Sequence, residues 1–414
     1  MADSTSDNFP RGAGLTARDA QFRENPDVVY DSLRCHAPVY RDQAYGRWLL
    51  TRFDDVRGVL RHKQFGVDAR KSTPDSYLRR IAATGISEGA GKTAYEPPLV
   101  LLDDPGHRRI RMLMSKAFTP RAIEAMRPRI HAITQELLAA LATESEIDFI
   151  ECFAGPLPTL IIAEMMGLAA ADCTDLKRWS ERILQGYDPE REATTQQRLR
   201  ESYVSLSQLL RETVAARRQA PREDLISAMV RAQEEQDSLS DLEIISLCTQ
   251  LLVAGNVTTT DLMGNGLHAL MMHPQEMQKL QASPSLIEQT IEEILRYDCP
   301  LTETARIALD DVEIGCCPFA KGDTLTVSMA AANHDPAQFP HPHVFDIERG
   351  DPAHLAFGSG VHVCLGAPLA RLEGQICLQA FIARFPAVRP GRESARRRRL
   401  PFFRGFEFLP VRLR

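Results

Sequence analysis

The sequence predicts a mainly α-helical protein with a small β lobe, and three observations predict it. Helical patterning dominates from Pro105 to Leu270. Within it, Ser240 caps a long stretch running from Asp241 to about His273, with a centre (247–254) that is apolar apart from Cys248, Thr249 and Gln250. A helix of that composition belongs in the middle of a molecule. After Tyr297 the texture changes. Residues 305–315 and 323–330 alternate β-branched residues with turns, as short strands do.

Taken in order, residues 1–20 read as a flexible N-terminus and 21–414 as one domain, without an internal repeat or linker. Residues 25–65 read as helix, two edge strands (38–40 and 47–51) and a helix opened by Asp54 and Asp55. Residues 66–99 lack periodicity and hold four glycines; so long a stretch is expected to be a binding loop or lid. Helices follow at 105–117, 122–142 with a possible kink at Pro128, 150–168, 172–219 with a polar break at 188–195, and 285–297. Coil rich in proline and histidine fills 334–343, a helix runs to Phe385, and 402–413 reads as a hairpin. The arginines Arg396 to Arg399 read as a solvated loop edge.

The bulk numbers exclude several classes. A net charge of −6 and a pI near 6.0 give no reason to expect nucleic acid. The nine cysteines are scattered and form no C-x-x-C pair, so neither a disulfide framework nor a zinc ribbon is expected. No apolar signal core and no unbroken apolar run of membrane-spanning length occurs. The expectation is a soluble, cytoplasmic monomer.

The chemistry concentrates in four places. Cys364 stands between Gly358, Gly360 and Gly366, just before a helix. Backbone N–H groups and the helix dipole there favour a thiolate, suited to a single soft axial ligand for a large flat cofactor. A structural cysteine in a turn is the other reading. Ala254, Gly255, Asn256, Val257 and Thr258 interrupt the long helix with poor helix formers. They form either a packing notch or an opening for a small ligand, with Thr258 offering a hydroxyl. Glu293 and Arg296 share one helix face. His107 with Arg111, together with Arg306 and His362, are dispersed cations suited to carboxylates, or simply surface charges.

These four clusters together resemble the cytochrome P-450 family of haem-thiolate monooxygenases, in its soluble bacterial form, over nearly the whole chain. The segment from Phe357 through Cys364 to Gly366 resembles the haem-ligand signature, and Glu293-x-x-Arg296 the characteristic helix pair. Ala254-Gly255-x-x-Thr258 resembles the oxygen-binding helix; His107-x-x-x-Arg111 and 332–336 match bacterial members. The resemblance implies haem b (iron protoporphyrin IX) between the long helix and the cysteine loop. It implies Cys364 as axial iron ligand, and His107, Arg111, Arg306 and His362 at the propionates. Phe357 and Gly366 would pack beside the cysteine loop, and Thr258 would lie over the distal face with Ala254 and Gly255. Arg349 would join the lock made by Glu293 and Arg296.

One departure stands out: Val257 occupies the position where the family usually has an acid. Proton delivery then falls to Thr258 and water, helped by Asn256, or is substrate-assisted or peroxide-derived. The resemblance further implies a hydrophobic substrate of small to middle size, with electrons from NAD(P)H through a ferredoxin and its reductase. Arg108, Arg109 and Lys116 are candidate docking cations. Residues 66–99, 172–200, Gln250, Val253, Thr302 to Ala305, Phe402 and Phe403 are expected around the substrate. Alternatives are a peroxide-driven or non-oxygenating isomerase- or dehydratase-like enzyme of the same haem type, or a haem-based gas sensor. Gly264-Asn265-Gly266 matches a dinucleotide fingerprint only as a string, because it falls inside a helix.

Overall fold

The computed structural model describes residues 9–84, 96–236, 239–315, 317–350 and 353–414. The central helix, Asp241–Met272, is opened by a full capping box: Ser240 Oγ accepts from the Glu243 N–H, and the Glu243 carboxylate accepts from the Ser240 N–H. It is long and apolar enough to cross a membrane by length and composition, yet most of its apolar stretch is buried inside protein, which marks it as a core helix.

Around it pack the helices Pro156–Met165, Cys173–Leu184, Ala193–Gln219, Ile287–Tyr297 and Ala367–Arg384. The glycines of the false fingerprint explain how closely. A Cβ on Gly264 would lie 2.8 Å from Ile150 Cδ1; on Gly266 it would lie 2.7 Å from Ile294 Cδ1 and 2.8 Å from Leu378 Cδ1. They are packing notches, and Asn265 between them donates to the carbonyls of Asp298 and Arg404.

The β lobe is a five-stranded sheet in the spatial order Val39–Asp42, Arg47–Leu50, Thr324–Ser328, Glu303–Ala308, Phe65–Gly66. Its Arg47–Leu50 and Thr324–Ser328 strands run parallel and the remaining neighbours antiparallel. Arg47 is fully buried in the lobe, paired with Asp42 at 3.2 Å and Glu303 at 3.0 Å.

Four expectations are corrected. Residues 9–20 are ordered: Leu15 is buried among Phe22, Tyr30 and Tyr40, and the Gly12 N–H donates to Asp42. The stretch 66–99 includes the helix Tyr77–Thr84; its residues 85–95 lie outside the described ones. The helix expected over 122–142 is split into Pro120–Glu124 and Arg127–Ala140, with Pro128 in the first turn of the second, where its missing N–H costs nothing. The C-terminal segment is no hairpin: Phe406–Phe408 pairs with Arg396–Arg397, whereas Pro410–Arg412 lies between Glu146–Asp148 and Arg389–Pro390.

The arginine run is also not a solvated edge. Arg397 and Arg404 converge on buried Asp298 at 2.9 and 2.5 Å, and Arg398 pairs with fully buried Asp261 at 3.0 Å; only Arg396 and Arg399 face water. Charge in sequence reads as solvated by default. Here strand alternation and two buried acids far upstream draw half of the run inward.

Candidate active site

The cysteine loop is built on backbone that only glycine supports. Gly358 and Gly360 have φ of 70° and 76°, and a Cβ on Gly360 would come within 2.4 Å of the Leu60 carbonyl oxygen. The Cys364 N–H donates to the Phe357 carbonyl at 2.9 Å, closing the loop just ahead of the Ala367–Arg384 helix. From sequence, the backbone N–H groups and helix dipole at this position favour a thiolate. Burial instead pushes the Cys364 thiol above its ordinary value, against the downward pull of the Gly366 and Ala367 N–H groups and of Arg111 and Arg371. The residue is nonetheless exposed. A coordinated metal ion reverses this balance, since a coordinating thiol is deprotonated outright.

Beside the loop lies a set of basic side chains, of which only His107 has a carboxylate within ion-pairing distance among the described residues, Asp104 at 3.5 Å. His107 is 3% exposed, and its Nε2 is buried without a hydrogen-bond partner. Its ring lies 4.2 Å from that of His362. Arg306 is 5% exposed and donates only to its neighbours, the Ala305 carbonyl at 2.8 Å and the Thr304 hydroxyl at 3.4 Å. Burial lowers Arg306 to about 10, and burial with Arg306 and His107 lowers His362 to about 3. Arg111 donates to the Val363 carbonyl at 2.7 Å, tying the Gly106–Ser115 helix to the cysteine loop. Among the described residues no carboxylate forms an ion pair with Arg111, Arg306 or His362. Two carboxylates carried by a ligand would satisfy this set, so the residues present fit a haem with its propionates.

Arg306→Ala is therefore expected to weaken haem binding about ten- to hundredfold, the value of one charged hydrogen-bonding partner. Competition against an apo-haem acceptor measures it, and unchanged retention would contradict the assignment.

Behind the loop, Phe357 lies under the Arg371 guanidinium at 4.5 Å. Arg371 in turn makes a bidentate pair with Glu292 at 2.6 and 2.8 Å, and His354 joins at 3.1 Å. Burial alone would raise Glu292, but Arg371 and His354 hold it down to about 2. Next to it stands the lock. Arg296 donates to both oxygens of Glu293 at 2.8 Å and to the carbonyls of Asn333, Pro342 and Val344. Arg349 donates to the same carboxylate at 3.2 Å, as the sequence resemblance implied.

On the central helix, Ala254 is exposed in mid-helix between buried turns, and Thr258 one turn later is partly exposed, so the helix opens there. Gly255 is needed for contact of another kind: a Cβ would lie 3.1 Å from Ile162. The Thr258 hydroxyl donates to the Ala254 carbonyl at 2.5 Å. Asn256 does not join them. It is 1% exposed and donates to Ser180 at 2.9 Å, on a different side of the helix. Val257, 2% exposed, packs with Leu184, Leu400 and Phe403.

An aromatic wall rises beside Val257, and sequence reading named only part of it. Tyr77 lies between Tyr45 at 4.7 Å and Phe402 at 5.7 Å, and Tyr187 meets Phe402 and Phe403 at 6.1 and 5.5 Å. Phe402 holds φ of 70°, braced by the backbone and hydroxyl of Thr302, which both donate to its carbonyl. Tyr77 and Tyr187 fall in the 66–99 and 172–200 stretches expected around the substrate, whereas Tyr45 carries no sequence signal, because only the fold brings its segment to them.

A thiol in a glycine-built loop, carboxylate-seeking cations and a notched helix define a haem-thiolate site. Comparison with known proteins agrees. The family model described as cytochrome P-450 matches residues 92–283 and 284–401. The 6-deoxyerythronolide B hydroxylase of Saccharopolyspora erythraea is 38% identical over 390 residues, covering 93% of this chain and 95% of that protein. Among solved structures, CxnD, a cytochrome P-450 enzyme for C–S bond formation in chuangxinmycin biosynthesis, superposes with a TM-score of 0.90 at 28% identity, covering 100% of this chain and 98% of that one. P-450 BioI bound to acyl carrier protein ligated with hexadec-9Z-enoic acid gives 0.86 at 32% identity, covering 95% and 100%. The chain belongs to the cytochrome P-450 family. It is an oxidoreductase with a haem-thiolate cofactor.

Proposed function

We propose that this enzyme holds haem b through Cys364 and inserts one oxygen atom from O2 into a hydrophobic organic substrate of small to middle size. When bound, the haem supplies the oxygen chemistry, and thiolate donation favours O–O cleavage. The protein supplies binding, orientation and protons. His107, Arg111, Arg306 and His362 fix the cofactor's carboxylates. Tyr187, Phe402 and Phe403, backed by the fully buried Tyr77, form a largely aromatic wall, a lining suited to an apolar substrate. Thr258 holds a hydroxyl proton at the helix opening, anchored to the Ala254 carbonyl.

The observation that carries this reading is the group of basic side chains beside an exposed cysteine, in which Arg111, Arg306 and His362 have no ion pair to a carboxylate among the described residues. Electrons would arrive from NAD(P)H through a ferredoxin. Arg108 and Lys116 are exposed on or next to the helix that bears His107, whereas Arg109 is committed to Glu243. The test uses a compound found by its shift of the haem absorption band, turned over under 18O2 with ferredoxin, reductase and NADPH. One labelled oxygen atom per product is expected; unlabelled or unoxygenated product would overturn the reading.

Val257 supports a second reading, in which peroxide is the oxidant, because no carboxylate stands at that turn to relay protons. Val257→Asp is expected to raise the share of electrons recovered in product, and to lower thermal stability because it buries a charge among Leu184, Leu400 and Phe403. If coupling is unchanged, the missing acid is not what limits proton delivery. Turnover with hydrogen peroxide that exceeds turnover with reductase would select the peroxide reading.

A further inference from the structure

The proline- and histidine-rich coil at 334–343 crosses the Asp27–His36 helix, and there two histidines converge on one carboxylate. His334 Nδ1 lies 2.8 Å from Asp27 Oδ1, and His343 Nδ1 lies 3.5 Å from Asp27 Oδ2. One ligand atom from each of the three residues falls within 4.8 Å of the others. Two donors on a common zinc ion, each at roughly 2.0–2.1 Å, are about 3.3 Å apart in tetrahedral geometry, a separation that the two histidine–Asp27 distances lie either side of and that a small ring movement would give the whole set.

From these distances we propose a surface site for a divalent transition-metal ion of the zinc type, held by Asp27, His334 and His343. Two imidazoles and one carboxylate suit zinc and its neighbours, and not magnesium or calcium, which prefer all-oxygen shells. Water completes the shell, since His343 is 46% exposed and gives access from solvent.

Three further features belong to a built site. His343 Nε2 lies 2.8 Å from Asp31 Oδ2, one helical turn beyond Asp27. This is the carboxylate partner that a metal-bound imidazole customarily has on its other nitrogen. Asp31 is itself held by Arg34 at 2.5 Å. His334 is 5% exposed and its Nδ1 faces Asp27, so an ion there would displace the proton shared with that carboxylate and hold the ring as its Nε2–H tautomer. His341, two residues before His343, is held at φ of 51° between two prolines, and its carbonyl accepts from Arg349.

The site would have a mechanical consequence. The carbonyls of Asn333 and Pro342, each adjacent to a metal ligand, are two of those that hold Arg296. An ion there clamps the N-terminal helix to the segment that completes the lock behind the haem.

The experiment titrates untagged, haem-loaded protein with Zn2+ by calorimetry, beside His343→Ala and Asp27→Asn. One Zn2+ per chain is expected for the wild type, bound at least tenfold more weakly by His343→Ala. Zn2+ should raise the melting temperature of the wild type alone, with identical haem absorption in both proteins and no heat from Mg2+. His343 is exposed, so its loss leaves the fold intact even if Asp27→Asn does not fold. Absence of saturable Zn2+ binding to the wild type, or equal binding by His343→Ala, overturns the proposal.

Discussion

Arg296→Ala should lose about 3–5 kcal/mol of stability, the cost of stranding a buried charge when its partner is removed. Glu293 is 1% exposed and Arg296 fully buried, so neither can recruit water once the other is gone. The loss extends beyond one ion pair. Three carbonyls, from Asn333, Pro342 and Val344, take their hydrogen bonds from this guanidinium, and the backbone N–H of Asp346 donates to Glu293. Only Arg349, at longer range, and the Asp346 N–H would remain on the carboxylate. Arg296→Lys should recover little, because an ammonium cannot match the planar fork that meets Glu293 and the carbonyls together. Denaturant unfolding followed by circular dichroism measures both variants. A loss under about 1 kcal/mol for Arg296→Ala would show that the segment 333–349 is held by other means.

Cys364→Ala should abolish oxygenation while leaving the polypeptide folded. The residue is exposed, and the loop is closed by the Cys364 backbone N–H, which the substitution keeps. The basic side chains proposed to hold the propionates are untouched, so the variant should still take up haem, more weakly than the wild type. What it loses is the sulfur that tunes the iron. Steady-state turnover against haem content, with denaturant midpoints compared for the haem-free proteins, separates these effects. Product formation near the wild-type rate at equal haem content would remove Cys364 from the chemistry.

Cys364 among glycines, the Glu293 and Arg296 pair, and the notched apolar helix each allowed a purely structural reading alone and became legible in sequence only as a set. Burial of charge was not legible. Arg397 and Arg398 lie in a basic run that reads as solvated, and only tertiary pairing with Asp298 and Asp261 draws them in. Strand partners were likewise invisible: Pro410–Arg412 alternates like half of a hairpin, but it pairs with Glu146–Asp148, far away in sequence. Helix facing decided Asn256. Two residues from Thr258 is close in sequence, yet it amounts to about 200° around a helix, and the amide reaches Ser180 instead. Most of the aromatic wall was visible, because Phe402, Phe403 and the stretches that hold Tyr77 and Tyr187 were all expected around the substrate; only Tyr45 lay outside them.

Everything rests on sulfur at the iron. Iron K-edge X-ray absorption of the purified, haem-loaded protein reads the first coordination shell directly. One sulfur scatterer beside the porphyrin nitrogens is expected in the wild type, absent in Cys364→Ala and unchanged in a control such as Cys35→Ala. A shell of nitrogen and oxygen alone in the wild type, or a sulfur that survives Cys364→Ala, would contradict the account.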